Sequence, residues 1–205
     1  MMNKYYQLIL LLFLTGLTPR VVADALDYTF VSVGYSGFLS TIEGFSEVPE
    51  GSGVSLDLSV AVRPHIAIIA GYTRGSADMR TTEKTVDADI KSSSIGIMVH
   101  LPINDTTDFI VAMSFINGNA AVDINGVFAA DVDADGGLTT MGVRSMVADE
   151  VEINGFINKK SIEDVSKFNI SLGTAYYFAE SVSVDLVFLL DSDNGSIAFG
   201  ATKYF

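Results

Sequence analysis

"SGVSLDLSVAV", residues 52–62, alternates without a break. Val54, Leu56, Leu58, Val60 and Val62 fall on one side of an extended chain, and Ser55, Asp57, Ser59 and Ala61 on the other. Successive side chains of a strand point to opposite faces, so this stretch builds a strand with one apolar and one polar face. The same period returns in "SSSIGIMVHL" (92–101), "KFNISLGTAY" (167–176) and "VSVDLVFLLD" (182–191). Little helical periodicity competes with it from residue 26 onward, and only four prolines interrupt the whole chain. The pattern predicts strands at 26–36, 52–63, 65–74, 87–101, 107–117, 136–147, 150–158, 165–178, 181–191 and 195–205.

The connections between these strands alternate in length. "RPH", "LPINDTT", "VADE" and "FAES" are short, whereas "SGFLSTIEGFSEVPEG" (36–51) and "NGNAAVDINGVFAADVDADGG" (117–137) read as long loops rich in Gly, Asp and Glu. Short turns at one end and longer loops at the other describe an all-β, antiparallel, up-and-down transmembrane β-barrel. In hydrocarbon every backbone N–H and C=O needs a partner, so such a sheet must close on itself. Ten strands is the reading, with eight as the alternative. A soluble periplasmic ligand-binding barrel explains the alternation too, but not the aromatic residues near strand ends. Tyr35, Tyr72, Phe109, Phe168, Tyr176, Tyr177, Phe178 and Tyr204 stand where an interfacial girdle belongs.

Composition narrows the chemistry. Cysteine is absent, which removes disulfides, thiolate metal sites and thiol catalysis. The formal charge of −13 and the lack of any basic cluster argue against nucleic acid. Residues 1–23 read as a cleaved secretory signal peptide, with Lys4 in the n-region and an apolar run from Leu8 to Leu14. Val21 and Ala23 form the cleavage motif, and Ala25 offers a second cleavage position. That run is too short to span a bilayer as a helix. Residues 24–205 then form the barrel domain, and loss of Lys4 and Arg20 with no acid takes its charge from −13 to −15.

"LDYTFVSVGYSG" (26–37), "SLDLSVAVRPHIAIIAGYTRG" (55–75) and "SSSIGIMVHLPINDTTDFIVAMSF" (92–115) together resemble the opening hairpins of small OmpA-like, porin-like outer-membrane β-barrels of Gram-negative bacteria. The chain also ends "GSIAFGATKYF", on Phe205. The resemblance implies a bacterial outer-membrane location, among lipid and lipopolysaccharide. It also implies assembly by the outer-membrane machinery, which reads a terminal strand with a final aromatic. Ile197, Phe199 and Phe205 share the face that signal uses. Lys203 departs from the pattern, and the expectation is that its stem lies along lipid while its ammonium reaches water.

The residues themselves point away from catalysis. The two histidines, His65 and His100, fall at the short-turn end, so no Ser–His–Asp set can form among the outer loops. No cofactor is implied. Asp57, Arg144, Glu152, Lys167 and Asp185 fall on the polar face and form either a selectivity ring or mutually neutralising pairs in a filled lumen. Asp131, Asp133 and Asp135 echo the start of a calcium loop, but Gly142 stands where its final acid belongs. The functional expectation is a structural or surface-interaction barrel with a lumen plugged by side chains and acidic loops facing a ligand. A narrow porin-like channel for ions or small solutes is the alternative.

Overall fold

The computed structural model describes residues 27–38, 50–80, 85–162, 165–191 and 195–205. The signal-peptide segment 1–23 lies outside the described residues, as do the connections 39–49 and 192–194. Ten strands follow one another: β1 (Phe30–Phe38), β2 (Glu50–Arg63), β3 (Ile66–Arg80), β4 (Thr85–Asn104), β5 (Thr107–Ile124), β6 (Val127–Ala148), β7 (Val151–Ile162), β8 (Val165–Ala179), β9 (Val182–Asp191) and β10 (Gly195–Tyr204). Each pairs antiparallel with its neighbours in sequence, and β10 pairs with β1 from Phe30↔Tyr204 to Phe38↔Ser196. The result is a closed barrel in which the edges of the first and last strands satisfy each other. The eight-strand alternative is thereby excluded.

Four tight turns gather at one end, at Pro64–His65, Asp105–Thr106, Asp149–Glu150 and Glu180–Ser181. We call this the turn end and the opposite rim the loop end. One expectation at the loop end is corrected. The stretch 117–137 is not a loop, because β5 runs on to Ile124 and β6 starts at Val127, joined by Asn125–Gly126. Both turn residues hold positive φ, 54° and 74°, the left-handed pair that a tight hairpin between twisted strands requires and that Asn-Gly supplies at little cost.

The alternation resolves into an inverted molecule. Val54, Leu56, Leu58, Val60 and Val62 all face outward and are exposed, as are Ile95, Ile97, Met113, Phe115, Ile170 and Phe199 on other strands. The residues withdrawn from solvent include many polar ones, with Ser59 at 1%, Ser183 at 0% and Thr202 at 5% exposure. In water this would expose apolar area on every strand against the hydrophobic driving force. In a bilayer the same wall is surrounded by acyl chains. The soluble-barrel alternative fails on this polarity.

The aromatic girdle needs one correction. Tyr35, Tyr72, Phe168, Tyr176 and Phe178 are exposed on the outer wall, but Tyr177 and Tyr204 point into the lumen. Lys203 is also not where its flexible stem predicted. It is only 3% exposed, its ammonium donates to Ser181 Oγ in the β8–β9 turn and sits 5.9 Å from the Phe205 ring centroid. The chain terminus is fastened by Phe205 N–H, which donates to the Thr29 carbonyl at 3.0 Å.

Candidate functional site

The densest polar packing lies inside the barrel at the turn end. Here the residues before β1 turn inward. Ser59 Oγ donates to the Tyr28 carbonyl at 2.6 Å, and Arg144 Nη1 donates to the Asp27 carbonyl at 3.1 Å. These bonds hold the Tyr28 ring across the lumen, 3% exposed, where its hydroxyl donates to Asp108 Oδ2 at 2.6 Å. His100 Nδ1 lies 3.1 Å from the same carboxylate oxygen, and its ring stacks on Tyr28 at 3.7 Å and 18°. His65, in the β2–β3 turn, meets His100 edge-on at 5.4 Å. Burial and the Asp108 hydrogen bond push the Tyr28 hydroxyl pKa upward, so it stays a donor at any physiological pH.

Arg144 joins this group to the opposite wall. Its Nη2 pairs with Glu152 Oε2 at 2.8 Å and donates to the Tyr177 and Tyr204 hydroxyls at 3.1 and 3.3 Å. The guanidinium carbon also stands 5.2 Å from the Tyr28 centroid and 5.8 Å from that of Tyr204, within cation–π reach. Tyr177 in turn donates to Glu152 Oε2 at 2.7 Å. Among the described residues no buried side-chain nitrogen or oxygen here lacks a partner. That completeness is what makes a buried ion pair tolerable. Beneath and beside it Ala67, Met98, Ile110 and Ala112 form the small apolar core.

Toward the loop end the lumen widens into a cavity of about 850 Å³. Ser55, Thr73, Ser94, Asn158 and Asp185 line it, with Arg144 and Tyr204 among the residues at its floor. Its width depends on small side chains. A Cβ added at Gly71 would stand 2.9 Å from both Asp57 Oδ1 and Ser94 Oγ, so glycine there leaves room for the carboxylate.

Of the five lumen charges expected from the sequence, the fold brings two into contact, Arg144 and Glu152. Asp185 accepts instead from Ser183 and Thr202 at 2.9 and 2.7 Å. Asp57 lines the cavity wall. Lys167 sits at the loop-end rim, directly opposite Lys160 on β7. Tyr28, His100, Asp108, Tyr177 and Tyr204 complete the cluster and were not grouped with those charges from sequence. Their inward parity was readable, since His100 shares a face with Gly96 and Met98, and Tyr177 shares one with Ser171 and Gly173.

Asp131, Asp133 and Asp135 stand on alternate residues of β6, where Asn119 donates to Asp133 and Asn117 to Asp135, at 2.9 and 2.6 Å. No group of three or more His, Cys, Asp or Glu among the described residues is gathered closely enough to hold a metal ion. At the terminus, Phe199 and Phe205 share the outward parity of Ile197, with Phe199 56% exposed.

No protein-family model matches the chain, and no curated protein matches it by sequence. Solved structures do. The translocator domain of the autotransporter NalP from Neisseria meningitidis matches with a TM-score of 0.51 and 10% identity, over 98% of this chain and 95% of that one. The transport unit of the autotransporter AIDA-I from Escherichia coli matches at 0.50 and 13%, over 98% and 97%. Neisserial surface protein A matches at 0.49 and 11%, over 86% and 96%. At such identities the likeness to the two autotransporter domains is one of backbone course, and it agrees with the outward apolar wall: the fold is that of an outer-membrane β-barrel.

Proposed function

We propose that this protein is a closed outer-membrane barrel whose role is structural or lies in contacts made at its outer rim. The turn end faces the periplasm, and the side chains there stop the lumen. The observation that carries this reading is Arg144, 7% exposed, whose contacts reach β7, β8, β10 and the segment before β1. A solute leaving the cavity toward the turn end would have to part these bonds together. Acyl chains and lipopolysaccharide surround the wall, and the acidic loop-end residues meet an external ligand. Both histidines, His65 and His100, stand at the turn end rather than at the outer rim, which supports a non-enzymatic role.

Refolded protein in a planar bilayer is expected to show no stable unitary conductance steps. Reproducible steps would favour the narrow channel, for which the cavity above Arg144 is the supporting observation. The terminal strand serves the assembly machinery. Deleting Phe205 is therefore expected to lower the amount of barrel reaching the outer membrane several-fold, while barrel already inserted keeps its heat-modifiable gel mobility. Unchanged outer-membrane levels would contradict that role.

A further inference from the structure

At the loop end the sheet does not stop with the barrel. β7 pairs with β6 only as far as Gly136↔Ile162, whereas β6 continues back to Val127. Residues 127–135 are held on one side by β5, from Ile124↔Val127 to Asn117↔Asp135, with a one-residue bulge at Ala129 between Asp123↔Phe128 and Val122↔Ala130. β5 is backed by β4, with Val86 opposite Ile124, and the Asn125 amide donates to the Thr85 carbonyl at 2.8 Å. The far side of 127–135 has no strand partner among the described residues. From Ala130 to Asp135, past the bulge, its alternate N–H and C=O groups point away from the sheet, as they do on any strand edge.

The side chains of this edge follow an order opposite to that of the wall below. Lower down, Met141 and Val143 face outward. Above Gly136 the same outward parity carries Asp135, Asp133 and Asp131, whose side chains reach the outward Asn117 and Asn119. The inward parity carries Ala134, Val132 and Ala130, with Val132 half exposed. Polarity thus reverses where the sheet leaves the apolar belt. The three carboxylates have neutral amides or no side-chain partner beside them, and neither the Arg144–Glu152 ion pair nor the His100–Asp108 contact involves them.

We propose that Val127–Asp135 is a strand-addition site for an extended segment of another protein that carries Lys or Arg at alternate positions and small apolar residues between them. Backbone hydrogen bonds along the free edge provide the attachment, and the alternating charge selects the partner and its register. A second copy of this chain does not fit, since pairing this edge with itself sets acidic rows side by side. This deepens the surface-interaction reading. The lumen is tested separately by conductance, so a failure here leaves the closed barrel standing.

The probe is a synthetic alternating Lys–Val peptide, titrated against the refolded full barrel in lipid nanodiscs at low salt. Three controls go with it: a same-composition peptide with the lysines in one block, an alternating Glu–Val peptide, and the Lys–Val peptide N-methylated at alternate residues. The expected result is saturable binding of the parent alone, with slowed amide exchange in residues 127–135. The combined D131N/D133N/D135N variant keeps the hydrogen-bond acceptors for Asn117 and Asn119 and should bind at least tenfold more weakly. Equal binding of the N-methylated or blocked peptide means charge attraction without strand addition and overturns the proposal. So does absent binding, unchanged exchange in 127–135, or concentration-dependent dimerisation through this edge.

Discussion

A Glu152→Ala barrel is expected to lose about 3–5 kcal/mol of unfolding free energy, the range for stranding one member of a buried ion pair. Arg144 cannot shed its proton, and it is only 7% exposed at the cavity floor. Its remaining contacts would be the Tyr177 and Tyr204 hydroxyls and the Asp27 carbonyl, none of which carries a compensating charge. Urea unfolding in phospholipid vesicles, read by heat-modifiable gel mobility, measures the loss. The double variant R144M/E152M removes both charges and should recover much of it, because an apolar pair of similar volume needs no desolvation. If Glu152→Ala costs less than about 1 kcal/mol, a value typical of exposed pairs, the cluster is more hydrated than the bonds above require.

The second large effect is on the wall. Leu58→Arg is expected to cost about 2–4 kcal/mol, the penalty for arginine at the midplane of a transmembrane barrel. Leu58 stands in the middle of the outward row Val54–Val62 and pairs across to Val31 and Ala70, so the new guanidinium would be set among acyl chains. Asp57→Arg moves the same group one residue along the chain and onto the opposite face, into the lumen cavity and away from the acyl chains. It should cost far less. The contrast between neighbouring positions is the test, measured by the same unfolding assay. Equal costs would mean that the two faces of β2 do not see different solvents.

These two sites differ in how far the sequence reveals them. The outward row of β2 is visible locally because each residue reports its face through its neighbours two positions away. All ten strands follow from the same signal. The inner cluster is not local. Asp108 and Arg144 are directly opposite on β5 and β6, yet each finds its partner elsewhere, Asp108 at the His100 ring and Arg144 at Glu152. Only closure of the barrel and the inward turn of Tyr28 decide which partners meet. Tyr177 was concealed by its setting in Tyr176, Tyr177 and Phe178, three aromatics of which the pleat turns only the outer two toward lipid.

Residues 118–135 were misread for a different reason. Gly118, Ala120, Ala121, Ala130 and Ala134 have weak strand propensity, and Asp-rich runs suggest turns. The pattern there is still alternate, but with its polarity exchanged, since these strands have left the bilayer. The Asn125–Gly126 pair was the overlooked signal for a tight hairpin.

The inverted wall is tested most directly on β2 itself. The chain has no cysteine, so single cysteines can be placed one at a time from residue 54 to 62 and spin-labelled in bilayers. Accessibility to molecular oxygen, which partitions into lipid, and to a water-soluble nickel complex is then read at each position. The prediction is a period of two, with oxygen reaching labels at 54, 56, 58, 60 and 62 and not those at 55, 57 and 59. Labels at the even positions shielded from oxygen, with the odd ones open to bulk water, would describe a soluble barrel and contradict the account.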